Sequence, residues 1–138
     1  AHKKIVDSEV SMLARVPHAS DSLSGKVTRE NLDDMFKAGD HRSYRVKDNM
    51  LDNLDKADKL SFLWSSETKR TIGQAAIAGI LAEKKFACVF PTCITTDEVR
   101  EYALGNEYPL SDAEANQMWE LYNNNFGVEN RFEMEMKS

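Results

Sequence analysis

The chain has 138 residues, 18 of them Lys or Arg and 23 Asp or Glu, and a formal net charge of −5. Its 41% hydrophobic and 30% charged residues are typical of one soluble globular domain. These values exclude a disordered chain and a disulfide scaffold, and no apolar run approaches the roughly 20 residues that span a bilayer. No apolar signal segment follows Lys3 and Lys4, so we expect a cytoplasmic protein without membrane contact and a single helical domain over residues 1–138.

The first 27 residues predict a short helix and a loop. Val6, Val10 and Leu13 recur at the i, i+4, i+7 spacing of a helix face, and Pro17 ends that segment. Residues 18–27 are rich in Ser, which is typical of a loop.

Two amphipathic helices are predicted next. Thr28 can cap the first, which ends near Gly39. The second covers about residues 46–60, because apolar side chains recur there at helical spacing. Its inner stripe consists of Val46, Met50, Leu51, Leu54 and Ala57.

Residues 67–85 form the most apolar predicted helix. Every residue from Ala75 to Ala82 is apolar or Gly, and a helix that is hydrophobic all round lies inside a domain. The sequence therefore predicts a mainly α fold, a compact bundle of about five to six helices around a buried central helix at about 67–85.

One short stretch favours a strand. Residues 86–95 are rich in β-forming side chains, but Pro91 divides them, so we predict at most a small β element near 86–95. Capping-box patterns then begin two further helices, at Thr95 and at Ser111. Residues 128–138 are predicted to form a tail that can be flexible.

Charge is unevenly distributed along the chain. Residues 1–95 carry 15 Lys+Arg and 13 Asp+Glu, whereas residues 96–138 carry 3 and 10, a balance of −7. An acidic surface attracts basic partners and repels nucleic acid, although acidic residues in the first turn of a helix also stabilise that helix. We expect the partner-binding residues on the two C-terminal helices to be Asp97, Glu98, Glu101, Asp112, Glu114 and Glu120.

The favoured function is therefore a small soluble binding or regulatory protein, an adaptor or inhibitor of host or phage type. It would dock on a basic protein partner through this acidic surface. Aromatic side chains could add anchors in a groove, although aromatic residues at helical spacing more often form a core. The candidates are Trp64, Trp119, Tyr122 and Phe126. No enzymatic activity, catalytic residue or cofactor is predicted.

A helical nucleic-acid-binding regulator is the first alternative. Basic pairs outside the acidic region could contact phosphates, although a balance of +2 over residues 1–95 is a weak basic footprint. The residues concerned are Arg42, Arg45, Lys69, Arg70, Lys84 and Lys85.

A thiol-dependent enzyme is the second alternative. Cys93 precedes a predicted helix whose N-terminus could favour its thiolate, and His41 lies in a polar turn where it could act as a base. Packing of Cys88 and Cys93 as small core residues is the simpler interpretation. The pair lacks the second Cys or His pair of a zinc site, so no metal ligand is predicted.

Overall fold

The computed structural model describes residues 9–36 and 47–128. Within these residues the fold is mainly α with a small β element, as the sequence predicts, and that element forms a two-stranded parallel sheet. The elements are β1 (Met12–Arg15), α1 (Leu32–Met35), α2 (Lys47–Lys59), α3 (Ile72–Leu81), β2 (Phe86–Phe90), α4 (Thr96–Ala103) and α5 (Asp112–Asn123). Short 3-10 turns lie at Ser61–Trp64, Leu104–Asn106 and Asn125–Gly127. Among the described helices, none is long and apolar enough to cross a bilayer.

The prediction of a helix near the N-terminus is wrong for the part of that segment that the structure describes. Leu13 lies in β1, which pairs in parallel with β2 from Met12 opposite Phe86 to Arg15 opposite Phe90. The Met12 N–H also donates to the Lys85 carbonyl at 2.7 Å. Pairing with a distant segment thus overrides the local helical spacing.

The predicted β element near 86–95 is confirmed as β2, which ends at Phe90. Proline has no N–H to give to a ladder, so the strand stops before Pro91.

The helix predicted at 46–60 is confirmed as α2, which buries Met50, Leu54 and Ala57. The helix before it is much shorter than predicted. Thr28 does not cap it, because the Thr28 N–H donates to Asn31 Oδ1 at 2.8 Å in the turn that precedes α1. The expected helix end at Gly39 lies outside the described residues.

Helix α3 is the apolar segment predicted at about 67–85, shortened to ten residues. Its small residues let other elements approach closely: a Cβ on Gly73 would lie 2.6 Å from Tyr102 Cε1, and one on Gly79 would lie 3.1 Å from Met118 Sδ. Close packing therefore explains why two glycines are tolerated in this helix.

Reciprocal capping boxes begin the three longest helices after residue 70. Those at Thr95 and Ser111 were predicted from their Glu residues at the third helical position, and both are confirmed. The third, at Thr71, uses Gln74 in the same way. Because these signals are local, the two predicted boxes place the starts of α4 and α5 correctly, whereas the start of α3 was predicted about five residues too early.

Candidate functional site

Glu98, one of the six predicted partner-binding residues, is buried with 7% of its surface exposed. Its carboxylate accepts hydrogen bonds from the backbone N–H groups of Ile94 and Thr95 and forms an ion pair with Lys26. Glu98 therefore ties the start of α4 to the loop before α1. The sequence predicted its part in the capping box but not its ion pair with Lys26.

Glu114 has a similar role at the start of α5. Its carboxylate forms an ion pair with Arg70, whose side chain is only 4% exposed and whose Nη1 donates to the Pro109 carbonyl at 3.4 Å. Burial acts to raise the pKa of Glu114, but hydrogen bonds from Ser111 and the charge of Arg70 outweigh it, so that pKa is lowered. The pair joins the entry to α3 with α5.

The other four acidic residues differ in exposure. Glu101 is half-buried and accepts a hydrogen bond from the Thr71 hydroxyl at 2.5 Å. Asp97 is exposed and pairs with Arg100, while Asp112 and Glu120 are also exposed. The six residues therefore do not form one free acidic face.

The basic residues proposed to contact nucleic acid also differ in how exposed they are. Lys69 and Lys84 are exposed and Lys85 is half-buried, but Arg70 is buried against Glu114. The Lys69–Arg70 pair thus offers one exposed cation. The predicted Arg42 and Arg45 lie outside the described residues.

The cysteines occupy two environments. Cys88 is half-buried in β2 and Cys93 is exposed, so the interpretation of both as core residues is wrong for Cys93. His41, the proposed base, lies outside the described residues. Residues 9–36 and 47–128 contain no group of three or more His, Cys, Asp or Glu side chains that could hold a metal ion.

An apolar cleft of about 440 Å³ lies between the 3-10 turn Ser61–Trp64, α3 and α5. Among the described residues that line it, Glu83 alone is charged, and both tryptophans of the chain, Trp64 and Trp119, line it. This almost wholly apolar lining with large aromatic side chains makes the cleft the strongest candidate for a binding site.

The wall formed by α5 is aromatic. The rings of Trp119 and Tyr122 meet edge to face with centroids 5.5 Å apart, and Tyr122 and Phe126 do so at 6.4 Å. Tyr122 is 61% exposed, so this wall opens to solvent. The residue types were identified from the sequence, whereas the cleft depends on how α3 and α5 pack.

His18 is a buried residue that sequence analysis did not single out. Its ring lies 4.3 Å from that of Tyr102, and its Nε2–H donates to the Gly73 carbonyl at 3.2 Å, because a carbonyl can only accept. The ring joins the loop after β1 to α3 and α4. It stands apart from the apolar cleft, whose lining does not include it.

Burial lowers the pKa of His18 below its ordinary 6.5, although the Gly73 carbonyl and the nearby Asp21 and Glu101 carboxylates act against this and Lys26 adds to it. The unfolded chain therefore takes up this proton at higher pH than the folded protein. Keeping His18 neutral in the folded protein therefore costs nothing above pH 6.5. The free energy of unfolding decreases as the pH falls from 6.5 towards the pKa of His18 in the folded protein.

His18→Phe is expected to weaken the fall in stability on acidification, because Phe keeps a ring against Tyr102 but does not titrate. Urea unfolding of both proteins at about pH 7.5 and about pH 5.5 measures the difference. Equal losses of unfolding free energy in the wild type and the variant would contradict the prediction.

No family model, curated protein or solved structure matches the chain. The function is therefore inferred from the chemistry of the described residues. Two features carry that inference: the apolar cleft and the absence of Lys and Arg from helix α5, which carries exposed acidic side chains.

Proposed function

We propose that the protein is a small binding protein whose apolar cleft accepts the apolar face of a basic helical segment from a protein partner. The observation that carries the proposal is the cleft between α3 and α5, which is lined by both tryptophans and opens at an exposed Tyr122. Large aromatic side chains around a concave apolar surface are the common anchors of protein interfaces.

The shape of the cleft favours a segment of a macromolecule. Its volume of about 440 Å³ can take several apolar side chains, and a helix presents such side chains at i, i+3, i+4 and i+7. The aromatic row runs from Trp119 and Tyr122 on α5 to Phe126 in the 3-10 turn that follows the helix. A partner helix can therefore place successive apolar side chains against successive rings.

Charge complementarity favours a basic partner. Helix α5 carries three acidic residues and no Lys or Arg, and residues 96–138 have a balance of −7. Glu114 is engaged by Arg70, which leaves Asp112 and Glu120 as the exposed acids of this helix. Asp112 lies two helical turns before Trp119 and on nearly the same side of α5, whereas Glu120 lies on the side opposite the cleft-lining Met118, Trp119 and Tyr122. Lys or Arg side chains beside the partner's apolar face would meet the Asp112 carboxylate.

The wider biological setting belongs to the same proposal. We infer an adaptor or inhibitor role in the cytoplasm, without enzymatic activity, for a compact bundle of helices around α3. The six acidic residues expected from the sequence therefore have different roles. Glu98 and Glu114 support the fold, Asp112 is offered as the partner-facing acid, and Asp97, Glu101 and Glu120 are given no part in the cleft.

Tryptophan fluorescence tests the proposal directly, since both reporters line the cleft. The probe is a peptide of about 18 residues with Leu and Lys at amphipathic helical spacing. We expect its binding to shift the emission, and Tyr122→Ala to weaken it about tenfold, as expected for an aromatic interface anchor. Tyr108→Ala is the matched control, because Tyr108 is an exposed tyrosine that does not line the cleft, and it should leave affinity unchanged.

Charge variants distinguish this proposal from nonspecific hydrophobic binding of the peptide. Asp112→Lys should weaken binding of the Leu–Lys peptide and strengthen binding of a Leu–Glu peptide of the same spacing, whereas Glu120→Lys, on the opposite side of α5, should change both much less. Equal affinity for both peptides, or an equal loss in Tyr122→Ala and Tyr108→Ala, would contradict the proposal. Uptake of an uncharged apolar dye with no peptide binding would overturn it in favour of a small apolar ligand.

A further inference from the structure

We propose that Cys93 exchanges with small-molecule disulfides and that Cys88 resolves the adduct to form an internal disulfide. The two thiols are free and line one cavity of about 440 Å³ between α3, β2 and α4. This cavity is separate from the apolar cleft, since the two share no lining residue. The inference therefore does not depend on the proposed partner.

The two thiols differ in access. Cys93 is exposed and lies in the segment after β2, whereas Cys88 is half-buried within the strand. An external disulfide must be reached by the attacking sulfur, and access is one of the factors that set the rate of exchange. Cys93 is therefore the entry thiol and Cys88 the resolving thiol.

The backbone between them permits closure. Residues 91–94 lie outside any helix or strand, and α4 begins only after its cap at Thr95. A disulfide needs Cα atoms about 4.4–6.8 Å apart, so closure requires residues 91–93 to adjust while Ile94 and Thr95 stay tied to the Glu98 carboxylate and the helical hydrogen bonds of α4 remain. Cys88 stays fixed by the pairing of β2 with β1.

The chemistry is a pair of balanced exchanges. The Cys93 thiolate attacks a disulfide RSSR, forms Cys93–S–S–R and releases one thiolate. The Cys88 thiolate then attacks Cys93 Sγ, forms the internal disulfide and releases the second thiolate. Two protein thiols are oxidised, RSSR is reduced to two thiols, and the protons of the cysteines pass through solvent to the released thiolates.

Closure would alter the cavity wall. The lining includes Ile77 of α3 and Val99 and Tyr102 of α4, so a bond from β2 to the segment before α4 shortens the span between two of its walls. The internal disulfide would therefore hold the start of α4 against the sheet.

Glutathione disulfide is the probe, followed by alkylation and intact-mass measurement. The wild type should lose both alkylatable thiols and retain no glutathione. Cys88→Ser should stop at a mixed disulfide on Cys93, and Cys93→Ser should react about tenfold more slowly because only the half-buried thiol remains.

Three outcomes would overturn the proposal: glutathione retained on wild-type Cys93, glutathione added to Cys93→Ser as fast as to the wild type, or no reaction of the folded wild type. Reaction in urea checks that both serine variants contain a competent thiol, since unfolding removes the difference in access. Circular dichroism of the reduced variants checks that each is folded.

Discussion

Glu98→Lys is expected to lower the free energy of unfolding by about 2–3 kcal/mol, because it replaces a buried, hydrogen-bonded carboxylate with a cation that has no partner there, while Lys26 itself is partly exposed. The Glu98 carboxylate is the acceptor for the N–H groups of Ile94 and Thr95 and the ion-pair partner of Lys26. Lysine offers no acceptor, so both N–H groups lose their partner, and it places a second positive charge beside Lys26. Urea unfolding followed by circular dichroism at neutral pH measures the loss.

Glu120→Lys is the matched control, because it makes the same change of charge on an exposed position of α5. A surface substitution of this kind alters stability by about 0.5 kcal/mol or less. Glu98→Gln should fall between the two, since its amide oxygen can still accept one N–H while the charge is lost. Exposed ion pairs contribute at most about 1 kcal/mol. If the unfolding free energies of Glu98→Lys and Glu120→Lys differed by less than this, Glu98 would be behaving as a surface residue.

This comparison also determines how the acidic surface can be tested. Reversing Glu98 and Glu114 together with exposed acids would abolish binding by unfolding the protein, whatever the partner. Charge reversal is therefore informative at exposed acids such as Asp112, with the exposed Glu120 on the other side of α5 as its control. A binding experiment that uses those positions keeps the loss of a contact distinct from the loss of the fold.

Local signals in the sequence placed the helices that depend on local contacts. The capping boxes at Thr95 and Ser111 and the apolar stripe of α2 each act within a few residues, and the structure confirms all three. The strand β1 could not be predicted in this way. Its four residues pair with β2, more than 70 residues later along the chain, and nothing in the local spacing of Leu13 carries that information.

In the candidate site, too, the sequence predicted local features but not contacts between distant segments. The sequence identified the charges and the aromatic residues, but not which of them meet. Arg70 and Glu114 are 44 residues apart, and their pairing removes one cation from a predicted basic pair and one acid from a predicted acidic surface. The apolar cleft likewise depends on the approach of α5 to α3 at Gly79, a contact between helices that no single segment encodes.

Gly73→Ala is expected to destabilise the protein by about 2 kcal/mol, a typical cost of overpacking a core. A Cβ at this position would lie 2.6 Å from Tyr102 Cε1 and 3.2 Å from Glu101 Oε1. The Tyr102 ring cannot move aside freely, because it is 5% exposed and lies against His18. A loss of stability in Gly73→Ala would indicate a steric clash, because replacing glycine by alanine inside a helix otherwise stabilises it by about 1 kcal/mol.

Gly79→Ala in the same helix provides the matched control. Its Cβ would meet Met118 Sδ at 3.1 Å, and the flexible, half-buried Met118 side chain can shift, so we expect this variant to be neutral or more stable. A double-mutant cycle with Tyr102→Leu isolates the clash: in that background Gly73→Ala should lose most of its cost, because the ring it meets is gone. An equal cost of Gly73→Ala in both backgrounds would locate the strain in the backbone of α3, and the close approach of α4 to α3 at Tyr102 would then not be the reason that position 73 is glycine.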